Sequence, residues 1–85
     1  MLSQASNLIG LSVYTSNGIG VGKVTDLILD FDRTSIYGLY IEHTNPDLVE
    51  NGVAISVPYR IVKSIGEIVL LRVFPPFVKV NRETF

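Results

Sequence analysis

Apolar residues recur at every second position along most of this chain, and a period of two admits β-strands and little else. From Leu8 to Tyr14, residues Ile9, Leu11 and Val13 share one phase, with Gly10 and Ser12 between them. Asn17-Gly18 comes next, the dipeptide of a two-residue type I′ hairpin turn, in which both central residues take positive φ. In the run from Gly20 to Phe31, Val24 lies in one phase and Leu27, Leu29 and Phe31 in the other. A strand cannot change face without an extra residue, so a bulge or sharp bend is expected near Thr25-Asp26. Asp32 to Ser35 reads as a polar turn. In the next strand, Ile36 to Thr44, residues Tyr37, Leu39 and Ile41 share a side opposite Gly38, Tyr40 and Glu42.

Asn45-Pro46-Asp47 opens a loop that ends at Asn51-Gly52. Val53, Ile55 and Val57 then alternate with Ala54 and Ser56 as far as Pro58. After the proline the apolar spacing lengthens to three, which predicts one short helical or 3₁₀ turn near residues 59–62. Gly66-Glu67 turns the chain into Ile68 to Phe74, and Pro75-Pro76 separates that strand from Phe77 to Val80. No stretch carries a sustained helical stripe. The expected fold is all-β, a small antiparallel barrel or tight sandwich of about five to six short strands with turns every 8–12 residues.

Eighty-five residues leave room for one core, so 1–85 reads as a single domain with its core at about 7–74 and a C-terminal strand or tail at 75–85. A hydrophobic content of 47% excludes a disordered chain. A net charge of −1, from seven Lys and Arg against eight Asp and Glu, argues against direct nucleic-acid binding. With no cysteine there is no disulfide or thiolate chemistry, and His43 is the only imidazole. Met1 to Ser6 lacks the basic start and apolar stretch of a signal peptide, and no apolar run exceeds the four residues Ile68 to Leu71. The expected location is the cytoplasm. The last residues, Asn81 to Phe85, read as a fraying end.

Chemical motifs fail on inspection. Gly18-Ile19-Gly20-Val21-Gly22-Lys23 has one residue too few for a phosphate-binding P-loop, and Val24 stands where a hydroxyl should reach Mg²⁺. Asp30-Phe31-Asp32-Arg33-Thr34 begins like a calcium loop, but Ser35 and Ile41 occupy the positions of the required Gly and Glu. His43 lacks the convergent partners of a metal site. Asp26 reads as a cap on backbone amides at the bend rather than as a general base. The expectation is therefore no catalytic residue, no metal, no cofactor and no small-molecule substrate.

The informative segment is Ile68 to Phe74. Ile68, Leu70 and Phe74 point one way, while Val69, Leu71 and Val73 point the other. A strand of a lone barrel has one face in water, so two apolar faces imply that something covers the second. Burying three such side chains contributes roughly 5–8 kcal/mol before entropy. Either the tail from Pro75 to Val80 folds over that face or another subunit does, and the second reading is preferred. The expected interface comprises Val69, Leu71 and Val73 on the outer face, with Phe74, Phe77 and Val78 from the tail.

In order and spacing, several segments together resemble the PRC-barrel domain family. They are Leu8-Ile9-Gly10-Leu11-Ser12-Val13, Gly18 through Leu27, Gly38-Leu39-Tyr40-Ile41, Val57-Pro58-Tyr59-Arg60-Ile61-Val62 and Ile65-Gly66, spanning about residues 7–74. The resemblance implies a small β-barrel that binds other proteins and catalyses nothing. The family includes the C-terminal domain of a ribosome-maturation factor and short stand-alone archaeal proteins. The length of this chain is most similar to the archaeal type, which acts in FtsZ-based cell division with the membrane-anchored protein SepF. The resemblance thus implies a self-associating adaptor at the division site. Its partners would be itself, as a homodimer or larger assembly, a paralogous PRC-barrel protein and SepF, with the membrane reached only through a partner. Edge-strand pairing could extend dimers into filaments. The alternative implied by the family is a ribosome-maturation-type module that binds RNA or ribosomal proteins.

Overall fold

A computed structural model describes residues 7–80. The readings made for Met1–Ser6 and Asn81–Phe85 lie outside the described residues. Between them run seven short strands: β1 (Ser12–Tyr14), β2 (Gly20–Lys23), β3 (Asp26–Asp30), β4 (Ser35–Ile41), β5 (Ile55–Pro58), β6 (Val62–Ile65) and β7 (Ile68–Leu71). A 3₁₀ turn at Tyr59–Ile61 stands where the lengthened spacing placed one, and another lies at Glu50–Gly52. No helix among the described residues is long and apolar enough to cross a membrane.

The strands form two sheets, ordered β2-β1-β7-β6 and β3-β4-β5. They pack around one core without closing into a single continuous ladder. Every pairing is antiparallel except β1 with β7, which runs parallel from Ser12↔Ile68 to Tyr14↔Leu70 and so departs from the all-antiparallel expectation. Local spacing carries no signal for such a pair, because its two strands lie at opposite ends of the chain.

The expected change of phase is the corner of the fold. The chain leaves the first sheet after Lys23, crosses through Val24-Thr25 and enters the second at Asp26. Val24, 1% exposed, fills the core at the crossing. The Thr25 amide donates to the Tyr40 carbonyl at 2.8 Å, and Thr25 Oγ1 accepts the Glu42 amide at 3.0 Å. An isolated bridge from Gly22 to Thr44 ties the corner from the other side.

Two irregularities redirect side chains that simple alternation placed elsewhere. In β4, Ile28 faces Gly38 and Leu29 faces Ile36, so Tyr37 is an extra residue. The bulge puts Ile36 against the core and leaves Tyr37 64% exposed, off the face that Leu39 and Ile41 share. Past the end of β3, Phe31 falls in the turn and is 84% exposed, although its phase matched Leu27 and Leu29.

The first hairpin also differs from expectation. Only Gly18 has positive φ, at +83°, while Asn17 does not. The Gly18 amide donates to the Thr15 carbonyl, and the Thr15 amide to the Ile19 carbonyl, each at 2.9 Å. This is a three-residue loop closed by a glycine bulge, which needs one left-handed residue rather than two. The buried Thr15 hydroxyl accepts the amides of Asn17 and Ile19 and holds the loop from inside.

The core draws on both sheets and on the 45–53 loop. Val13, Val21, Leu39, Ile41, Val57, Val69 and Leu71 are at most 2% exposed, and Val49 of the loop is fully buried. Gly22 marks the tightest contact. A Cβ there would lie 2.6 Å from the His43 carbonyl oxygen and 2.7 Å from Ile41 Cγ2, at a φ of +156°. Both the space and the backbone conformation exclude a larger residue. Gly22→Ala is expected to destabilise the domain by about 2–3 kcal/mol in urea unfolding followed by circular dichroism, whereas a loss below about 0.5 kcal/mol would mean that the corner yields freely.

Candidate interaction surface

Two of the acids that might have carried chemistry are occupied by backbone amides. Gly18 to Lys23 spans the hairpin and β2, and the chain continues from there into strand rather than into a helix with amides free for a phosphate. Asp26 Oδ1 accepts the Leu27 amide at 2.8 Å, the capping role expected for it. Asp30 Oδ1 accepts the amides of Asp32 and Arg33, so the calcium-like sequence is a carboxylate-braced turn, with the Arg33 guanidinium 3.9 Å from Asp30. His43 is exposed. Among the described residues no three His, Cys, Asp or Glu side chains gather where a metal could sit.

The apolar segment from Ile68 onward is two-faced, but its faces are the reverse of those expected. Val69 and Leu71 are fully buried in the core of their own domain. Val69 stands beside Val13 in the parallel ladder, both turned inward. They are therefore removed from the candidate interface. The outward pair is Ile68, 41% exposed, and the half-buried Leu70, which has Tyr14 beside it in register. Alternation says which residues share a face and not which face is inside. The missed signal was Arg72, whose phase is that of Ile68 and Leu70 and whose charge assigns that face to water.

The tail residues divide as well. Val73 and Phe77 remain exposed, at 55% and 43%. Phe74 and Val78 are half-buried and pack against the core. The Val78 amide donates to the Leu48 carbonyl and its carbonyl accepts the Glu50 amide, both at 2.8 Å, forming a parallel bridge with Val49. The Val80 amide donates to Glu50 Oε1 at 2.8 Å. Residues 74–80 thus form a strap across the 48–50 loop of the same chain, while Ile68 stays 41% exposed.

Between this strap and β5 lies an open slot of ≈ 380 Å³, lined by Ile55 to Pro58 on one side and by Ile61, Phe74, Pro75 and Val78 on the other. None of these lining residues is charged. A second apolar cleft, of ≈ 440 Å³, opens where Leu8, Leu11, Ile36, Tyr59 and Ile65 meet. Both clefts present mainly apolar side chains, the kind of surface that recognises proteins.

With β7 turned inward, Leu71 is a core residue rather than a surface one. A carboxylate at this fully buried position costs about 4 kcal/mol or more, comparable with the whole stability of a domain this small. Leu71→Asp is expected to abolish the cooperative thermal transition, and Val73→Asp to shift stability by no more than about 0.5 kcal/mol. A folded Leu71→Asp variant would contradict the burial of that face.

No curated protein matches the chain. The family model for the PRC-barrel domain matches residues 2–76, which takes in all seven strands and the corner between the sheets. PRC-barrel domains are small interaction modules, and the two packed sheets, the all-β content and this match together place the chain in the PRC-barrel domain family.

Proposed function

We propose that this domain is a non-enzymatic, self-associating adaptor that joins other proteins into a cytoplasmic assembly. The observation that carries the reading is the outward face of β7. There Ile68 and Leu70 stand outward, with Tyr14 beside Leu70 in the ladder. Apolar side chains grouped on an outward sheet face are a common mark of a protein–protein contact. In its finer form the assembly is FtsZ-based division, with a paralogous PRC-barrel protein and SepF as further partners, in line with the archaeal members that the sequence resembles.

Sedimentation of the purified domain over a range of concentrations, at low and high salt, tests the reading. The expected result is a dimer or larger species that persists at high salt, since apolar burial is not screened. Ile68→Asp, at an exposed position, should weaken binding of other proteins in affinity capture by about tenfold or more while leaving the domain's own assembly and its circular dichroism spectrum unchanged. A monomer under all conditions would overturn self-association. Affinity capture from the native cell tests the finer form: absence of FtsZ and SepF would remove the division role. Salt-sensitive binding to ribosomal particles would favour the ribosome-maturation alternative instead.

A further inference from the structure

An isolated sheet has two edges, and two sheets have four, each a row of unpaired backbone groups that must be protected from other strands. Three of the four are protected here. The edge of β2 is covered within the chain: the Asn45 amide donates to the Val21 carbonyl, Asn45 Nδ2 donates to the Gly20 carbonyl, both at 2.9 Å, and Thr44 bridges Gly22. On β3 the carboxylate of Asp26 occupies the Leu27 amide, and acids stand at both ends of the strand. On β6, Val62 faces Leu71 and Ser64 faces Leu70, so Lys63 is an extra residue in a bulge, exposed and charged.

The fourth edge, β5, differs in each respect. It ends its sheet, its sequence Ile55-Ser56-Val57-Pro58 carries no charge, and its pairing with β4 runs without a register shift. The strap of residues 74–80 runs beside it, but the strap's backbone hydrogen bonds go to Leu48 and Glu50 and none goes to β5. Pro75 and Pro76 have no amide to offer. The slot touches four consecutive residues of β5. Successive side chains of a strand point to opposite faces, so a slot meeting all four lies along the edge itself.

We infer that two copies of this domain pair through their β5 edges, antiparallel about a two-fold axis at Ser56, each strand entering the slot beside the other's strap. The inference rests on the reading that the domain self-associates, and it names the contact. Charge selects the occupant. Self-pairing of β3 would set Asp26 against the partner's Asp30, and self-pairing of β6 would bring two Lys63 ammonium groups together, whereas β5 meets its own copy without a charge on either side. Centred on Ser56, Ile55 of one copy faces Val57 of the other, beside the apolar walls of Ile61, Phe74 and Val78. The short strand and Pro58 confine the ladder to a few residues, which suits a dimer contact.

The chain lacks cysteine, so a single introduced thiol reports its own neighbours. Ser56 is exposed, and Ser56→Cys should yield a covalent dimer on mild oxidation, because opposed residues at a two-fold axis lie within disulfide reach. Thr25→Cys and Lys63→Cys, beside the β3 and β6 edges, should stay largely monomeric on a non-reducing gel. Ser56→Lys should weaken the dimer by about tenfold or more in sedimentation, with the fold retained by circular dichroism. A dimer that Ser56→Lys leaves intact, or Ser56→Cys that does not cross-link while the protein is dimeric, would overturn the β5 contact alone. A domain monomeric at every concentration would overturn the self-association reading with it.

Discussion

The structure depends on one backbone contact at the corner where the chain passes between sheets. Gly22 lies against the His43 carbonyl so closely that no side chain fits between them. That approach lets the end of β2 bridge Thr44 and brings Asn45 over the edge of β2. It also places Val24 in the core and turns Asp26–Asp30 into the second sheet. Had the strands continued straight, β2 and β3 would form one long ribbon with a face of the wrong polarity along half its length. The bend converts that conflict into two shorter strands, each with its apolar side inward. A domain of 85 residues has little surface to spare for other ways of closing a core.

Much of this was legible in the chain. The phase change between Val24 and Leu27 announced the corner, the threefold spacing after Pro58 announced the 3₁₀ turn, and Asp26 revealed itself as a cap by its place beside the bend. The features that the residues did not disclose share one cause: alternation is relative, and its origin is set by contacts distant in the chain. The inward face of β7 is decided by Val13, its partner across the parallel ladder, more than fifty positions earlier. Tyr37 left its expected face because one residue was inserted opposite Ile28-Leu29, which depends on strand pairing and not on composition. The first hairpin has a glycine bulge rather than a two-residue turn, with the Thr15 hydroxyl accepting two amides from within the loop. For the interface, the same ambiguity exchanged core for surface. Val69 and Leu71 passed inside, Ile68 and Leu70 outside, and the tail residues Phe74 and Val78 turned out to belong to a strap of the same chain.

Several charges share an employment on the chain's own backbone. Asp26 and Asp30 hold backbone amides, Glu50 accepts the amide of Val80, Arg72 donates to the Val62 carbonyl at 3.2 Å, and Lys63 sits in an edge bulge. Each works locally, on the chain's own backbone or against unwanted strand pairing. A carboxylate already accepting an amide is poorly placed to move a proton for a substrate, and scattered cations do not form a groove for a polyanion. Beside these charges, the described surface offers two further means of recognition, apolar side chains and sheet edge.

Those two means make different demands, and together they limit what such a domain can bind. Apolar side chains supply energy with little direction, while an edge fixes orientation and register through backbone groups but contributes little when it is only a few residues long. On this chain they lie on different sheets: the outward pair Ile68 and Leu70 belongs to β7 of the first, and the uncharged edge to β5 of the second. A partner gripping one does not thereby occupy the other. Under the proposed function the domain holds two neighbours at once, and connection rests on the separation of the two surfaces rather than on any single group within them.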